Sequence, residues 1–177
     1  MTIANHNENL HQNISSIDLK TLVYSQIEIQ STRLGLGVFA VQDIPRGQPI
    51  LKFRGPNINF AQNFAKGEKM ANPLQIDHDL YIDLEPPGLY INHSCNPNTG
   101  IFQDRILIAL QHIAAGEEIF YDYSTTMDED CWTMKCLCNS HNCRGVVTDF
   151  KYLPPDTQEY YLKLGVVQDF IVKSLGI

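Results

Sequence analysis

The stretch Asn92-His93-Ser94-Cys95-Asn96-Pro97-Asn98 decides how this chain is interpreted, and we call it the NHSCNPN segment. It follows the apolar run Leu89-Tyr90-Ile91 and precedes two strand-like segments. Asparagine, serine and proline favour turns because their side chains bond the local backbone or fix φ. Taken alone, the segment predicts a polar loop that holds a ligand or a metal ion, or one that merely connects two strands.

The cysteines give the next indication, because one of the five, Cys95, lies inside this segment. An odd count in a chain without a secretory signal argues against a disulfide framework and for metal ligands or free thiols. The densest group is Cys136-x-Cys138-x4-Cys143, whose thiolates can form three corners of a tetrahedral zinc site. The fourth ligand is then His141 or Cys95, and reduced cysteines without a metal are the alternative. Cys131 lies outside this spacing and is predicted to be a free thiol.

Two further motifs contain candidate functional residues. Gly35-Leu36-Gly37 permits a tight backbone turn close to a ligand, although a plain turn between strands explains it equally well. Gly116 to Tyr123 ends a predicted strand, Ile119–Tyr123, with tyrosines at positions 121 and 123. Residues two apart on a strand project on the same side, so the two phenols form either an aromatic, polar pocket or part of the core.

Length and composition indicate a globular protein. The 177 residues suit one domain with a terminal appendage, and 44% apolar and 19% charged residues are ordinary values. No apolar run approaches the roughly 20 residues that a membrane helix needs. The N-terminus lacks the features of a signal peptide, which predicts a cytoplasmic location and leaves a secreted effector as the alternative.

The net charge of −7 argues against direct nucleic-acid binding, which usually requires a basic face. An acidic surface is compatible with a basic partner, such as a lysine-rich peptide, because it would steer that partner towards the protein. The acidity could equally serve only to keep the protein in solution.

The secondary-structure pattern predicts a mainly β fold of short strands with frequent turns. A polar tail occupies residues 1–17, a strand-like pattern begins at Thr21, and one short helix, capped by Asn59, occupies 59–66. A C-terminal helix begins with a capping box at Asp156–Glu159. Its buried face, which packs on the β body or forms a dimer contact, comprises Tyr160, Leu164, Val167, Ile171 and Leu175.

The order of these motifs resembles that of SET-domain protein lysine methyltransferases with a post-SET zinc cluster. The resemblance runs from Gly-x-Gly through Asn-His-Ser-Cys-x-Pro-Asn and Gly-Glu-Glu-Ile-x-Tyr-Asp-Tyr to C-x-C-x4-C-Arg-Gly, between Ser31 and Val147. No cysteine-rich segment precedes the core, as in the small stand-alone bacterial type. The implied divisions are a SET domain at 21–125, a post-SET segment at 126–147 and a helical extension at 148–177.

The resemblance implies small curled β-sheets in which the Asn92 segment and the Ile119–Tyr123 segment cross in a knot-like arrangement. It also implies S-adenosylmethionine as methyl donor, a protein lysine as acceptor, and entry of the two from opposite faces. The implied catalytic residues are Tyr123 and Tyr121. The implied cofactor-binding residues are Leu36, Gly37, Asn92, His93, Tyr123 and Leu137. The implied ligands of a structural zinc ion are Cys95, Cys136, Cys138 and Cys143, which leaves His141 without a role.

Three positions refine the expected function. Phe53 replaces a tyrosine that lines the lysine channel in many members, and Leu89 replaces a common arginine; both count against a histone substrate. Tyr121, where the family has Phe or Tyr, predicts mainly monomethylation. The competing hypothesis is a zinc-stabilised peptide-binding module without catalysis. The oligomeric state, monomer or dimer, stays open.

Overall fold

The computed structural model describes residues 24–176, so the predicted tail at 1–17 and the predicted start of a strand at Thr21 lie outside the described residues. Within that range the chain is built from many short strands, a few short helices and several single 3₁₀ turns. The prediction of a mainly β fold is confirmed. No helix within residues 24–176 has the length and apolar character needed to span a bilayer.

The strands form several small sheets rather than one large sheet. A hairpin joins β1 (Ile27–Thr32) to β2 (Gly35–Ala40). A three-stranded antiparallel sheet has the order β3-β9-β8, and a second has the order β4-β6-β5. Their strands are β3 (Pro49–Lys52), β4 (Asn57–Ile58), β5 (Leu74–Asp77), β6 (Leu80–Ile82), β8 (Thr99–Phe102) and β9 (Ile106–Ala109). β11 (Met134–Lys135) pairs antiparallel with β12 (Val146–Val147) near the C-terminal cysteines.

The turns follow from local sequence. Gly35 has φ +114° at the tip of the β1–β2 hairpin, a backbone conformation that residues with a side chain rarely adopt. The predicted turn between β8 and β9 falls at Gln103 and Asp104, which have φ 48° and 62°. Two consecutive residues with positive φ give a turn whose twist matches the flanking strands.

The NHSCNPN segment begins as a strand rather than as a loop throughout. β7 (Asn92–His93) pairs in parallel with β10 (Phe120–Tyr121), so Asn92 lies beside Phe120 and His93 beside Tyr121. The strand predicted at 119–123 is shorter than expected, since β10 comprises only Phe120–Tyr121. It ends because a 3₁₀ turn begins at Tyr123, where the Asp122 side chain accepts a hydrogen bond from the Ser124 N–H.

The short helix is confirmed as α1 (Phe60–Phe64). The Asn59 side chain accepts from the Gln62 N–H, and the Gln62 side chain accepts from the Asn59 N–H, each at 2.9 Å. This reciprocal pair satisfies two N–H groups that the first helical turn leaves without partners.

The C-terminal prediction needs three corrections: the helix is divided, its predicted capping box is absent, and two residues of its predicted buried face, Tyr160 and Leu175, are exposed. The helix divides into α2 (Pro155–Leu164) and α3 (Asp169–Ser174), because Gly165 adopts a left-handed conformation with φ 66° and ends α2. The capping box at Asp156–Glu159 is wrong, since α2 begins after Pro154 and no side chain caps it. Tyr160 is exposed, and the neighbouring Tyr161 is buried instead.

The core has a central cluster and two smaller ones. The central cluster joins β1, β2, β3, β6 and β9 and extends to Tyr121. A second cluster packs Phe150, Tyr161, Val166, Phe170 and their neighbours against β8 and β9. The prediction that the C-terminal helical region packs on the β body is confirmed, and this packing holds β8, β9 and the residues that follow Tyr123 together. The third cluster surrounds Cys95 and Cys136.

Candidate active site and metal centre

Tyr123 lines two clefts. One, the His93 cleft, has a volume of about 250 Å³. It is lined by Leu34, Asn92, His93 and Tyr123 and by residues near the cysteines, namely Met134, Lys135, Leu137 and Cys138. The other, the Tyr121 cleft, is narrow, about 30 Å³. Its walls include Tyr121, Tyr123, Met70, Met127, Glu129 and Trp132. Tyr123 is the residue common to both.

The two tyrosines are held close together as neutral phenols. Their ring centroids lie 4.8 Å apart, and the Tyr123 hydroxyl donates to the Ile91 carbonyl at 2.8 Å. Burial raises the pKa of both hydroxyls. The neighbouring Tyr123 raises the pKa of Tyr121 further, and Glu118 raises that of Tyr123. At neutral pH both groups therefore orient partners through hydrogen bonds rather than act as bases.

Asn92 is held at the edge of the His93 cleft by its amide nitrogen. That nitrogen donates to the Leu36 carbonyl at 3.0 Å and to Glu118 Oε1 at 2.8 Å. The same carboxylate oxygen would lie 2.4 Å from a Cβ added at Gly37, so position 37 must lack a side chain for Glu118 to reach Asn92. Gly35-Leu36-Gly37 therefore affects the cleft indirectly, through the contacts of Asn92 with Leu36 and Glu118. Leu34, rather than the predicted Leu36, lines it directly.

His93 is buried and neutral. Burial lowers its pKa to about 4, although the Asp122 carboxylate acts in the opposite direction. Its Nδ1 accepts the Tyr123 backbone N–H at 3.3 Å, and its ring packs edge-on against Tyr123 at 5.3 Å. Its Nε2 lies 3.4 Å from the Cys95 sulfur, so this histidine joins the cleft to the cysteine cluster.

Asp122 connects the site to the C-terminal part of the chain. Both of its oxygens accept from the Arg144 guanidinium at 2.7 Å, and Oδ2 also accepts from the Tyr161 hydroxyl at 2.9 Å. The carboxylate is fully buried, and a bidentate guanidinium contact is among the strongest ways to neutralise such a charge. Asp122, which precedes Tyr123, is thereby fixed by Arg144 of the cysteine segment (residues 136–144) and by Tyr161 of α2.

Three of the four predicted metal ligands converge. Cys95, Cys136, Cys138 and His93 offer ligand atoms that all lie within 4.8 Å of one another. The Cys95 and Cys136 sulfurs are 3.7 Å apart, which matches the separation of about 3.8 Å expected between sulfurs on one tetrahedral zinc ion. The exposed Cys143 is outside this group, but its thiol interacts with that of Cys136. The donor set fits zinc.

The thiols of the cluster differ in acidity. Burial raises the pKa of Cys95 to about 11. Burial acts in the same direction on Cys138, but hydrogen bonds with Ser140 and neighbouring groups outweigh it and lower the pKa to about 6. Two residues near the cluster lie outside it. His141, to which the resemblance gave no role, is exposed. Cys131, predicted to be a free thiol, is also exposed, and its thiol donates to the Glu129 carboxylate at 3.5 Å.

The structure thus brings together Asn92, His93, Tyr123 and Leu137 around one cleft and Tyr121 with Tyr123 at the other. Arg33, in the β1–β2 turn, donates to the Leu137 carbonyl and ties the hairpin to the cysteine segment. Phe53 is buried edge-on against the Tyr121 ring at 6.0 Å.

Sequence reasoning missed four residues that position the site. Three of them, Asp122, Arg144 and Asn98, lie within the motifs quoted above. Their charged or amide side chains, placed next to predicted functional residues, were a signal that could have identified them. Asn98 clamps β10, since it accepts from the Phe120 N–H at 2.9 Å and donates to the Glu118 carbonyl at 2.8 Å. Tyr161 had no such signal, because its partner is 39 residues away.

Comparisons with a family model and with curated proteins indicate the same family. Residues 35–124 match the SET domain. Histone-lysine N-methyltransferase SETD1B of Homo sapiens is 31% identical over 157 residues, which cover 75% of this chain and 8% of that protein. The "Histone-lysine N-methyltransferase, H3 lysine-36 specific" of Candida albicans is 31% identical over 172 residues, covering 87% of this chain and 19% of that protein.

The fold has a counterpart among solved structures. The methyltransferase domain of human histone-lysine N-methyltransferase SETMAR matches with a TM-score of 0.57 at 20% identity, covering 70% of this chain and 58% of that one. This likeness supports the fold. The chain spans only a small part of the length of the two curated relatives.

Proposed function

The chain belongs to the SET-domain family, and from its site we propose that it transfers a methyl group from S-adenosylmethionine to a lysine side chain of a protein. The observation that carries the proposal is the position of Tyr123 as the shared wall of two clefts. A donor in one cleft and an acceptor in the other would meet at this tyrosine. Transfer between two aligned substrates needs no covalent enzyme intermediate, so alignment provides most of the acceleration.

The His93 cleft would hold the methyl donor. Asn92, His93, Tyr123 and Leu137 line it, while Leu36 and Gly37 support it through the Asn92 and Glu118 contacts. Leu137 is 45% exposed and offers an apolar surface to an aromatic ring. When bound, S-adenosylmethionine supplies an electrophilic methyl group on a positively charged sulfur.

The Tyr121 cleft would hold the lysine. The amine must lose a proton before it can attack, and its unperturbed pKa is about 10.4. Apolar walls disfavour the charged form and lower that pKa. The Tyr123 hydroxyl donates a hydrogen bond to the Ile91 carbonyl, so the lone pairs of its oxygen could accept weak C–H contacts from the methyl group.

Product specificity would depend on Tyr121. A phenol hydroxyl at the inner wall can bind a water molecule or the amine and leaves less room for a methylated nitrogen. We therefore propose mainly monomethylation. The relatives' names point to histone substrates for those proteins, and a basic protein is proposed here because this chain has a net charge of −7.

The metal centre would have a structural role. We propose that Cys95, Cys136, Cys138 and Cys143 bind one zinc ion, which leaves no open coordination position. The segment 126–147, proposed as the post-SET unit, contributes three of these ligands and also four residues of the His93 cleft. Metal binding would therefore hold one wall of the donor site.

A transfer assay tests the proposal. The protein is incubated with methyl-labelled S-adenosylmethionine and either core histones or a bacterial lysate, beside a Tyr123→Phe variant. We expect label on a lysine of a basic protein and a loss of at least about a hundredfold in the variant. Binding of the donor with no transfer to any protein would instead favour a peptide-binding module without catalysis, the hypothesis that Phe53 suggested.

A further inference from the structure

The Tyr121 cleft contains one charged group among the described residues that line it. Its walls are otherwise apolar or neutral, as with Met70, Pro73, Gln75 and Trp132. The exception is Glu129, on the chain between the 3₁₀ turn at Tyr123 and the cysteine segment. A carboxylate among such neighbours is costly unless a cation or several hydrogen bonds compensate it.

Glu129 is held in place through its backbone. The N–H groups of Glu129 and Asp130 both donate to Asp149 Oδ2, at 3.0 and 2.7 Å. Asp149 is itself buried, so the backbone at 129–130 is anchored to the body of the protein. The Glu129 side chain therefore belongs to the cleft wall rather than to a loose surface loop.

The carboxylate of Glu129 has only weak partners. Cys131 donates to Oε2 at 3.5 Å. The buried Tyr81 hydroxyl interacts with the same carboxylate, although it makes no hydrogen bond of good geometry within the described part of the chain. Burial raises the pKa of the Glu129 carboxyl, and the contacts with Cys131 and Tyr81 offset only part of that rise.

No ion pair within residues 24–176 engages Glu129. Lys151 pairs instead with the residues on either side, Asp128 at 3.0 Å and Asp130 at 2.6 Å. Two of the three consecutive acidic residues thus share one lysine, while the third, which lines the cleft, is left for a cation from outside. A cation that entered would offset part of the carboxylate's desolvation cost.

We propose that Glu129 is a substrate-binding residue that receives the ammonium group of the target lysine in the Tyr121 cleft and so selects a free, unacylated lysine side chain. This rests on the proposed function, which it extends to the recognition of the acceptor. Glu129 would bind the protonated amine on entry. With the positively charged donor in place, the ammonium would give its proton to solvent water, and the neutral amine would then attack. An acetylated lysine or a norleucine of similar shape lacks the charge and gains nothing from this contact.

A binding measurement tests the proposal without requiring transfer. The probes are a synthetic peptide of the lysine-rich histone H3 tail and a copy with norleucine at each lysine, measured in the presence of S-adenosylhomocysteine. We expect the wild-type protein to prefer the lysine peptide by about tenfold and Glu129→Gln to reduce that preference to about twofold or less. Asp130→Asn is the matched control: it removes the same charge from an exposed residue paired with Lys151 and should keep the preference.

Retention of the preference in Glu129→Gln, or its absence in the wild-type protein, would overturn the proposal. In the transfer assay we expect Glu129→Gln to raise the KM for the acceptor by about tenfold while kcat stays within about threefold. An unchanged KM beside active wild-type enzyme also overturns it, whereas failure of the proposed function shows as no transfer by the wild-type protein. Unchanged affinity for S-adenosylmethionine in the variant verifies that it is folded.

Discussion

At the scale of single residues, the Tyr121 hydroxyl would limit the space for a methylated lysine if the Tyr121 cleft holds the acceptor, as proposed. It is fully enclosed, beside Thr126 and the Tyr123 ring. Tyr121→Phe removes one oxygen and leaves the ring packing against Phe53 intact. We expect this variant to form more dimethyl- and trimethyl-lysine than the wild-type protein does, measured by mass spectrometry of the product at equal conversion. A wild-type product that is mainly trimethylated would contradict the prediction.

Asn98 is the second decisive residue, and its effect is on stability. Its amide bonds both the Glu118 carbonyl and the Phe120 N–H, so an alanine leaves two partly buried backbone groups without these partners. We expect Asn98→Ala to lower the free energy of unfolding by about 2–4 kcal/mol. The exposed Asn96 two residues earlier is the control, and Asn96→Ala should change the same quantity, measured by urea denaturation, by about 0.5 kcal/mol or less. Equal effects would show that Asn98 is not the clamp.

At the scale of elements, α2 is coupled to the candidate active site by one hydroxyl. Tyr161 donates to Asp122, next to Tyr123, whereas the adjacent Tyr160 is 53% exposed. We expect Tyr161→Phe to cost about 1.5 kcal/mol of stability, because a hydrogen bond to a buried carboxylate is lost. The cost should be visible as a lower denaturation midpoint.

Tyr160→Phe is the matched control, since it removes the same atom from the same helix with no buried partner. We expect it to leave the midpoint unchanged. If both variants behave alike, the contact between α2 and Asp122 contributes nothing measurable to stability.

The elements that sequence reasoning predicted well are those encoded by local patterns. α1 follows from Asn59 and Gln62, and the β8–β9 hairpin follows from a polar pair between apolar runs. The division of the C-terminal helix was also encoded locally, in Gly165, but the apolar spacing on both sides obscured it. Helical spacing predicts Tyr160 on the buried face, but it fixes a face only within one residue. The hydrogen bond to Asp122 shows that Tyr161 lies there instead.

At the scale of the whole molecule, the site depends on contacts between distant parts of the chain. β7 pairs with β10 at a separation of 28 residues, and Cys95 meets Cys136 across 41. Periodicity cannot predict such pairings, because they depend on the complete set of interactions in the fold. The family resemblance anticipated the proximity of Asn92, His93 and Tyr123. The acidic run at 128–130 suggests either a solvated loop or a surface for a basic substrate, and only the fold shows that Glu129 lines the Tyr121 cleft.

The proposed metal centre would strengthen these long-range links, and its removal should affect both stability and donor binding. The ion would join Cys95 to the segment that carries Met134, Lys135 and Leu137 in the His93 cleft, in addition to the hydrogen bonds that Asn142 and Arg144 make to Cys95. We expect a chelator to lower the thermal midpoint and to weaken S-adenosylhomocysteine binding by at least about tenfold, with recovery when zinc is restored. The readouts are calorimetry for the ligand and elemental analysis for the metal. Full donor affinity in metal-free protein would contradict the link.

The same measurement decides the fourth ligand. His93 lies within the group of converging ligand atoms, but its Nδ1 is bonded to the Tyr123 backbone and its ring packs on Tyr123. Cys143 is exposed, and its thiol contacts that of Cys136. We therefore expect Cys143→Ser to lose zinc as Cys95→Ser does, while His93→Gln retains one zinc per chain and loses donor affinity. The reverse result, zinc kept by Cys143→Ser and lost by His93→Gln, would assign the histidine to the metal and leave Cys143 without a role.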